Sequence, residues 1–370
     1  MKSIPEIFKT YPAVYAVGDR YIITVAVNEP CTMWVKIGER EYFDDSNGIL
    51  RTASLTHKIE FPAKVLDEAK EYTLYFRKVI ERKPYFSQME DVGEFHSTFR
   101  PLSADSENIR IFHIADAHNR IDGPVKAAKA AGEHDLLVLN GDIPNHSGDI
   151  AYFAAIHCIA GEITLGEYPV IFSRGNHDMR GIYAENIQDH TPTDNGKSYF
   201  SVRVGNLWAL VLDCGEDKPD GNDEYGHTIC CADFRRRQTE YIENIIKNAE
   251  NEYLAEGVKH RVIISHIPFN KHYNHPFNIE EERYAYWCNM IKDNIKPDFM
   301  LCGHIHTCRV MKITDENDDA CRPCTVITAS KPFKGSENIV CGAIVVSEGE
   351  ADIKFIDSEG EIHGEDSISF

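Results

Sequence analysis

Residues 111–118 read IFHIADAH, an apolar run that leads directly into the pair Asp116 and His118. Four later stretches repeat this design, in which an apolar run ends in Asp, Asn or His: LLVLNGD (136–142), VIFSRGNHD (170–178), VIISH (262–266) and FMLCGHIH (299–306). Between them lie segments with helical periodicity, including 124–131 and the long stretch 233–255. Alternating strands and helices predict an α/β fold with sheets packed between helices. Ligands of such folds bind beyond the carboxyl ends of the strands, so these polar ends are expected to converge.

The spacing of the polar residues favours metal binding. Asp116/His118 and His304/His306 are i,i+2 pairs, which lie on one face of an extended strand. Asp142 offers two oxygens and is therefore able to bridge two cations, which a histidine is not. Oxygen and imidazole donors without thiolate suit Mn, Fe or Zn. Glycines stand where the backbone would turn sharply beside the ions, at positions 141, 175 and 303.

The N-terminal part of the chain has a different character. Residues 12–100 contain short runs rich in β-branched and aromatic residues, such as 21–27 and 71–77, which predict a small antiparallel sandwich. Within it, Leu66 precedes Tyr72 by six positions, as in the corner of fibronectin type III-like domains. A polar, proline-containing joint follows near residue 100. We therefore expect a β-sandwich domain over residues 1–104 and a catalytic domain over residues 105–370.

Composition restricts the classes of partner. The chain has 39 Lys and Arg against 59 Asp and Glu, a net charge of −20, which disfavours nucleic acid because such binding needs clustered cations. No segment approaches the roughly 20 apolar residues of a membrane helix. The start, MKSIPE, lacks an apolar signal core, so a cytoplasmic location is expected. Eleven scattered cysteines favour reduced thiols, and the lone pair Cys321/Cys324 is either a redox or zinc element or a turn.

The ordered set D-x-H, G-D, G-N-H-D, a strand-end His and G-H-x-H resembles the calcineurin-like metallophosphoesterase family. The resemblance covers roughly residues 108–357. It implies a four-layer αββα sandwich. The preceding β region is similar to the N-terminal domain of plant-type purple acid phosphatases, so the expected fold is a fibronectin III-like sandwich followed by the αββα domain.

The resemblance also implies a ligand set for two divalent or mixed-valence transition-metal ions, Mn, Fe or Zn. The ligands of the first metal would be Asp116, His118, Asp142 and His306. Asp142 would bridge to the second metal, whose further ligands would be Asn176, His266 and His304. His177 matches the non-ligand histidine that the family places near the leaving oxygen as a general acid. Asn176 would also contact the phosphoryl group of the substrate.

One position departs from the purple acid phosphatases, which carry a tyrosine ligand three residues after the bridging aspartate. Here Asn145 stands at that place, so neither the purple colour nor a committed ferric site is expected. The expected activity is hydrolysis of a small phosphomonoester by a metal-bridging hydroxide. The alternatives are a phosphodiesterase acting on small nucleotides or other diesters, a nuclease, and an inactive scaffold.

Several residues beside the motifs have two interpretations. Asp178 either orients His177 or a ligand through a hydrogen bond or closes a turn. Arg174 either contacts phosphate or forms a structural salt bridge. Three loop histidines either touch the substrate or are solvated: His146, His272 and His275. The long polar segments are expected to overhang the metals and select the substrate: 180–197, 215–228 and 267–278.

Overall fold

Two β-sheets lie face to face between layers of helices, and an N-terminal β region adjoins the first sheet. A computed structural model describes residues 3–269, 273–313 and 322–370. In chain order, the N-terminal region comprises β1 (Ala13–Val17), β2 (Arg20–Ile37), β3 (Arg40–Phe43), β4 (Asp45–Ser46), β5 (Leu50–Arg51), β6 (Ser54–Pro62), α1 (Ala63–Ala69), β7 (Glu71–Glu81), β8 (Gln88–Met89) and β9 (Gly93–Thr98).

The rest of the chain alternates strands and helices before it returns to strands. Its elements are β10 (Ile109–Ile114), α2 (Asp122–Ala131), β11 (Leu136–Asn140), α3 (Phe153–Thr164), β12 (Pro169–Ser173), α4 (Ile187–His190), β13 (Phe200–Val204), β14 (Leu207–Leu212), α5 (Cys231–Lys247), β15 (His260–Ser265), α6 (Glu281–Met290), β16 (Phe299–Cys302), β17 (Arg309–Met311), β18 (Thr325–Thr328), β19 (Lys331–Pro332), β20 (Ile339–Ser347), β21 (Glu350–Ile356) and β22 (Ile362–Ser369). Short 3-10 turns occur at Ile150–Tyr152, His177–Met179, Ile182–Asn186, Asp223–Tyr225 and Ala249–Asn251, and a π-helical turn, Ile291–Ile295, extends α6.

The strands that carry the polar motifs lie centrally in the two sheets. The first sheet has the order β22-β21-β20-β10-β11-β12-β1-β2, with β10, β11 and β12 parallel. The second has the order β13-β14-β15-β16-β18-β17, with β14, β15, β16 and β18 parallel. Helices α2 and α3 pack on the first sheet, and α5 and α6 pack on the second. The predicted four-layer α/β class, with a β region before it, is thereby confirmed.

Alternation along β15 divides its side chains between two apolar cores. Val262 and Ile264 belong to the core between the sheets. Ile263 belongs to the cluster that the second sheet forms with its helices, which includes Ile242 and Trp287. Strand β15 is therefore apolar on both faces, which explains why its sequence reads as an unbroken apolar run instead of an alternating one.

The N-terminal strands continue the first sheet. Strand β1 pairs with β12 in parallel, with Tyr15 opposite Val170. The hydroxyl of Tyr72, at the fibronectin-like corner, donates a hydrogen bond to the carbonyl oxygen of Gly166 at 3.0 Å. These hydrogen bonds join the N-terminal region to the rest of the chain. The predicted division into two domains at residue 104 therefore stays a prediction.

The predicted strands are present, but one helix is shorter than predicted. Helix α5 ends at Lys247, well before residue 255, because Asn248 leaves helical geometry and a 3-10 turn follows. The sequence reasoning did not identify α3, β13 or β14. Among the described residues, no helix has both the length and the apolar character needed to cross a membrane. Cys321 lies outside the described residues, so the function of the Cys321/Cys324 pair stays a prediction.

Candidate metal centre

The polar residues that follow five strands meet at one edge of the two sheets. Asp116 follows β10, Asp142 follows β11 and Asn176 follows β12, all from the first sheet, while His266 and His304 follow β15 and β16 of the second. Their donor atoms form overlapping groups within 4.8 Å: Asp116/His118/His306, His118/Asp142/His177 and Asp142/His266/His304. The structure thus brings together the residues that the sequence nominated, whose individual roles stay predictions.

The turns that present these residues use left-handed backbone. The following predicted ligands have φ between 47° and 68°: Asp116, His118, Asp142, His304 and His306. Such conformations cost side-chain-bearing residues about 1–3 kcal/mol each, and five of them gathered in one place are typical of a functional site. Backbone hydrogen bonds hold them, from the N–H of Asp116 to the carbonyl of Gly141 and from that of His118 to the carbonyl of Asp142, both at 3.0 Å.

The three glycines allow strands to approach each other at the site. A Cβ on Gly175 would lie 2.3 Å from Oδ1 of Asp142, and one on Gly303 would lie 2.9 Å from Oδ2 of Asp116. Gly141 has φ of 79°, and its Cβ would lie 2.6 Å from the backbone of Gly175. Any side chain here would fill the space beside the carboxylates, and the sharp turn predicted at all three positions has a left-handed φ at Gly141 alone.

The first group of donors fits one cation. Nε2 of His118 and Nε2 of His306 lie 3.2 Å apart, and Oδ1 of Asp116 lies 3.3 Å from Nε2 of His306. Two imidazole nitrogens this close either form an N–H···N hydrogen bond or point their lone pairs at a shared cation. Burial lowers the pKa of His118 to about 4, so its ring is neutral, as a metal ligand must be. His306 is about half exposed, which opens this end of the site to solvent.

The second group is centred on Asp142. Its Oδ2 lies 3.1 Å from Nε2 of His266, whose Nδ1 donates to the carbonyl oxygen of Asn140 at 2.7 Å. That bond directs Nε2 into the site. Burial alone would lower the pKa of His266, but the charge and hydrogen bond of Asp142 outweigh it and raise that pKa to about 10. Nδ1 of His304 lies 3.1 Å from Oδ1 of Asn176, and burial lowers the pKa of His304 to about 4.

His177 contacts Asp142 through its backbone, and its ring lies on the solvent side of that carboxylate. Its backbone N–H donates to Oδ1 of Asp142 at 2.8 Å, and its Nε2 stands 3.9 Å from Oδ2 of the same carboxylate. Nδ1 donates to the carbonyl oxygen of Asn145 at 2.8 Å. The side chain is 31% exposed, whereas that of Asp142 is 2% exposed. His177 therefore faces the open side of the site.

The structure shows the contacts of three residues that had two interpretations, and it decides between the two for Arg174. Oδ2 of Asp178 accepts hydrogen bonds from the N–H of Asp142 at 3.1 Å and of Gly175 at 2.6 Å, so this carboxyl group both holds the backbone of a predicted ligand and closes the turns beneath the site. Nε of Arg174 lies 2.6 Å from Oδ2 of buried Asp213, a structural salt bridge. His146 accepts a hydrogen bond from the N–H of Gly148 within its own loop. His272 lies outside the described residues.

Sequence reasoning missed an acidic side chain that lies beside the predicted ligand His304. Oδ2 of Asp217 lies 3.6 Å from Nε2 of His304, and Oδ1 accepts a hydrogen bond from the hydroxyl of Tyr225 at 2.9 Å. Burial would raise the pKa of Asp217, but His304, the hydroxyl of Tyr225 and the ammonium group of Lys218 lower it, so the carboxylate is ionised. Asp217 belongs to the polar segment 215–228, which reaches the site as predicted. No local pattern distinguishes this aspartate from others in the loop.

Comparisons with known proteins agree with this geometry. The sequence profile of the calcineurin-like phosphoesterase family matches residues 109–308, while no curated protein sequence matches the chain. The structure resembles that of purple acid phosphatase PPD1 from yellow lupin (Lupinus luteus), with a TM-score of 0.64 and 12% identity over 97% of this chain and 74% of that one. It also resembles PhoD, with a TM-score of 0.57 and 11% identity over 100% of this chain and 90% of that one.

At such identities, the likeness to solved structures establishes the fold. The profile match extends over more than half of the chain and contains the predicted ligands from Asp116 to His306. The chain therefore belongs to the calcineurin-like phosphoesterase family, as a hydrolase that acts on phosphoric ester bonds.

Proposed function

We propose that this chain is a binuclear metal-dependent phosphomonoesterase that acts on a small phosphorylated substrate. The observation that carries the proposal is the convergence of carboxylate and imidazole donors from strand ends into overlapping groups, with the amide of Asn176 beside His304. The lupin neighbour that shares the fold over most of this chain is named a purple acid phosphatase, which supports a monoester substrate. The net charge of −20 opposes long nucleic acids as substrates.

The residues would hold two divalent transition-metal ions. The first cation would be held by Asp116, His118, Asp142 and His306. Asp142 would also hold the second, together with Asn176, His266 and His304. When bound, such a pair of ions supplies an activated water as nucleophile and neutralises charge on the phosphoryl oxygens.

The remaining chemistry belongs to the side chains. The hydrogen bond from Nδ1 of His266 to the carbonyl of Asn140 keeps a hydrogen on Nδ1 and turns Nε2 toward Asp142, where a bound cation would take the place of the Nε2 proton. Asn176 would contact the phosphoryl group. His177, which stands at the open side of the site, would give a proton to the leaving oxygen as the ester bond breaks. Because Asn145 stands where purple acid phosphatases carry tyrosine, we expect no purple colour.

A substrate panel on reconstituted protein tests the proposal. Protein stripped with a chelator and reloaded with Mn, Fe or Zn is assayed with p-nitrophenyl phosphate and with bis(p-nitrophenyl) phosphate, and its metal content is measured by elemental analysis. We expect the monoester to be hydrolysed faster, and the stripped protein to be inactive.

Other results would identify the alternatives. Faster hydrolysis of the diester would replace the monoesterase with a phosphodiesterase. A reloaded protein that binds none of the three metals, or that binds them and hydrolyses neither ester, would leave an inactive scaffold.

A further inference from the structure

Asn119, which directly follows the predicted ligand His118, anchors the loop after Asp142. Its side-chain Oδ1 accepts a hydrogen bond from the backbone N–H of Asn145 at 3.0 Å. Its own backbone N–H donates to the carbonyl oxygen of Ile143 at 2.9 Å. These two bonds tie residues 143–145 to the turn that carries His118.

The same loop holds the ring of His177. The carbonyl oxygen of Asn145 accepts a hydrogen bond from Nδ1 of His177 at 2.8 Å. Because a carbonyl oxygen only accepts, Nδ1 must carry a hydrogen, and Nε2 is left as the nitrogen that exchanges protons with a substrate. The peptide group of Asn145 thus joins Asn119 on its N–H side to His177 through its carbonyl.

We infer that Asn119 is a positioning residue for the proton donor, an inference that rests on the proposed function. In the step concerned, the oxygen of a water that has given one proton to the solvent bonds to phosphorus, and the ester P–O bond breaks with its electron pair on the leaving oxygen. That oxygen takes the proton from Nε2 of His177, which becomes neutral and keeps its Nδ1 hydrogen on Asn145. Asn119 acts by fixing where the carbonyl of Asn145, and hence the ring of His177, stands.

The backbone conformation of Asn119 explains why an asparagine suits this position and which substitutions test its role. Its φ is 67°, a left-handed value that Asn, Asp and Gly tolerate better than other residues. Asn119→Gly therefore removes the acceptor without straining the backbone, and Asn119→Asp keeps an acceptor in the same place. Asn47, with φ of 60° in the remote β4–β5 hairpin, provides the matched control Asn47→Gly.

Two esters with different leaving groups distinguish a defect in proton donation from a general loss of activity. A p-nitrophenolate departs without a proton, whereas an alkoxide needs one, so only the alkyl ester depends on the placement of His177. With the metal-loaded enzyme, we expect Asn119→Gly to lower kcat for an alkyl phosphate by about tenfold or more, since small misplacements of a catalytic group have effects of that order. We expect less than about a threefold change for p-nitrophenyl phosphate. Asn119→Asp should restore alkyl ester hydrolysis, and Asn47→Gly should behave as wild type.

Three results would overturn the inference. They are an unchanged alkyl ester rate in Asn119→Gly, an equal loss on both esters, and a loss of bound metal measured by elemental analysis, since the last two would indicate damage to the site as a whole. A wild-type protein that binds metal and hydrolyses no ester would instead refute the proposed function. The two failures are therefore distinguishable.

Discussion

Replacing His177 with alanine separates proton donation from cation binding. His177 lies in one of the donor groups, so its position alone is compatible with either role. Its ring, however, is partly exposed, and Nε2 stands 3.9 Å from Oδ2 of Asp142. The hydrogen bond from its backbone N–H to Asp142 survives the substitution. We therefore expect His177→Ala to retain its bound metals.

The expected loss of turnover follows from the role of a general acid. Such a group contributes about 10²–10⁴ to the rate, and the loss should be of that size for an ester with a poor leaving group. At about 1.36 kcal/mol per factor of ten, this corresponds to about 2.7–5.4 kcal/mol of transition-state stabilisation. The Michaelis constant should change little, because the donated proton bonds to the leaving oxygen only as the ester bond breaks.

The assay combines steady-state kinetics on an alkyl phosphate with elemental analysis of the same preparation. His96→Ala is the control, since His96 is exposed on β9 in the N-terminal region. Loss of the metals from this variant would indicate that His177 is a metal ligand, and it would refute the assignment of His177 as the proton donor. A fully metallated variant with kcat within about threefold of wild type would refute any role of His177 in proton donation.

Three further substitutions test the centre itself. Asp142→Asn should abolish binding of both cations, measured by elemental analysis, and a fully metallated variant with normal turnover would contradict bridging by Asp142. Gly175→Ala places a Cβ 2.3 Å from Oδ1 of Asp142, so we expect a loss of about 1–3 kcal/mol in the free energy of unfolding, measured with urea, and unchanged stability would contradict this packing. Asp217→Asn should weaken cation binding at His304 by about 10–100-fold in calorimetric titration, and an unchanged affinity would show that Asp217 does not support that ligand.

The buried strands and the polar ends that carry the site could be predicted from the sequence. Each run, such as IFHIA before Asp116, is apolar because its strand is buried on both faces, and in parallel strands the next residues emerge at one edge of the sheet. The local hydrophobic pattern of the sequence therefore predicted which strands are buried and where the site lies. The glycines at 141, 175 and 303 gave the same indication, since only small residues allow the close approaches seen there.

Tertiary structure alone decided the contacts between segments that are distant in sequence. The pairing of β1 with β12, the approach of Asp217 to His304, and the hydrogen bonds that link Asn119 to His177 all join loops or strands far apart along the chain. None leaves a periodic signal, because a hydrogen bond between two loops depends on where the whole fold places them and hardly on the residues that flank each partner. The end of α5 at Lys247 could not be predicted either, because the helical spacing of apolar residues in the sequence continues beyond the point where the backbone leaves the helix. The local hydrophobic pattern thus predicts the buried strands and their polar ends. The groups that orient the site residues come together only when the layers of the fold assemble.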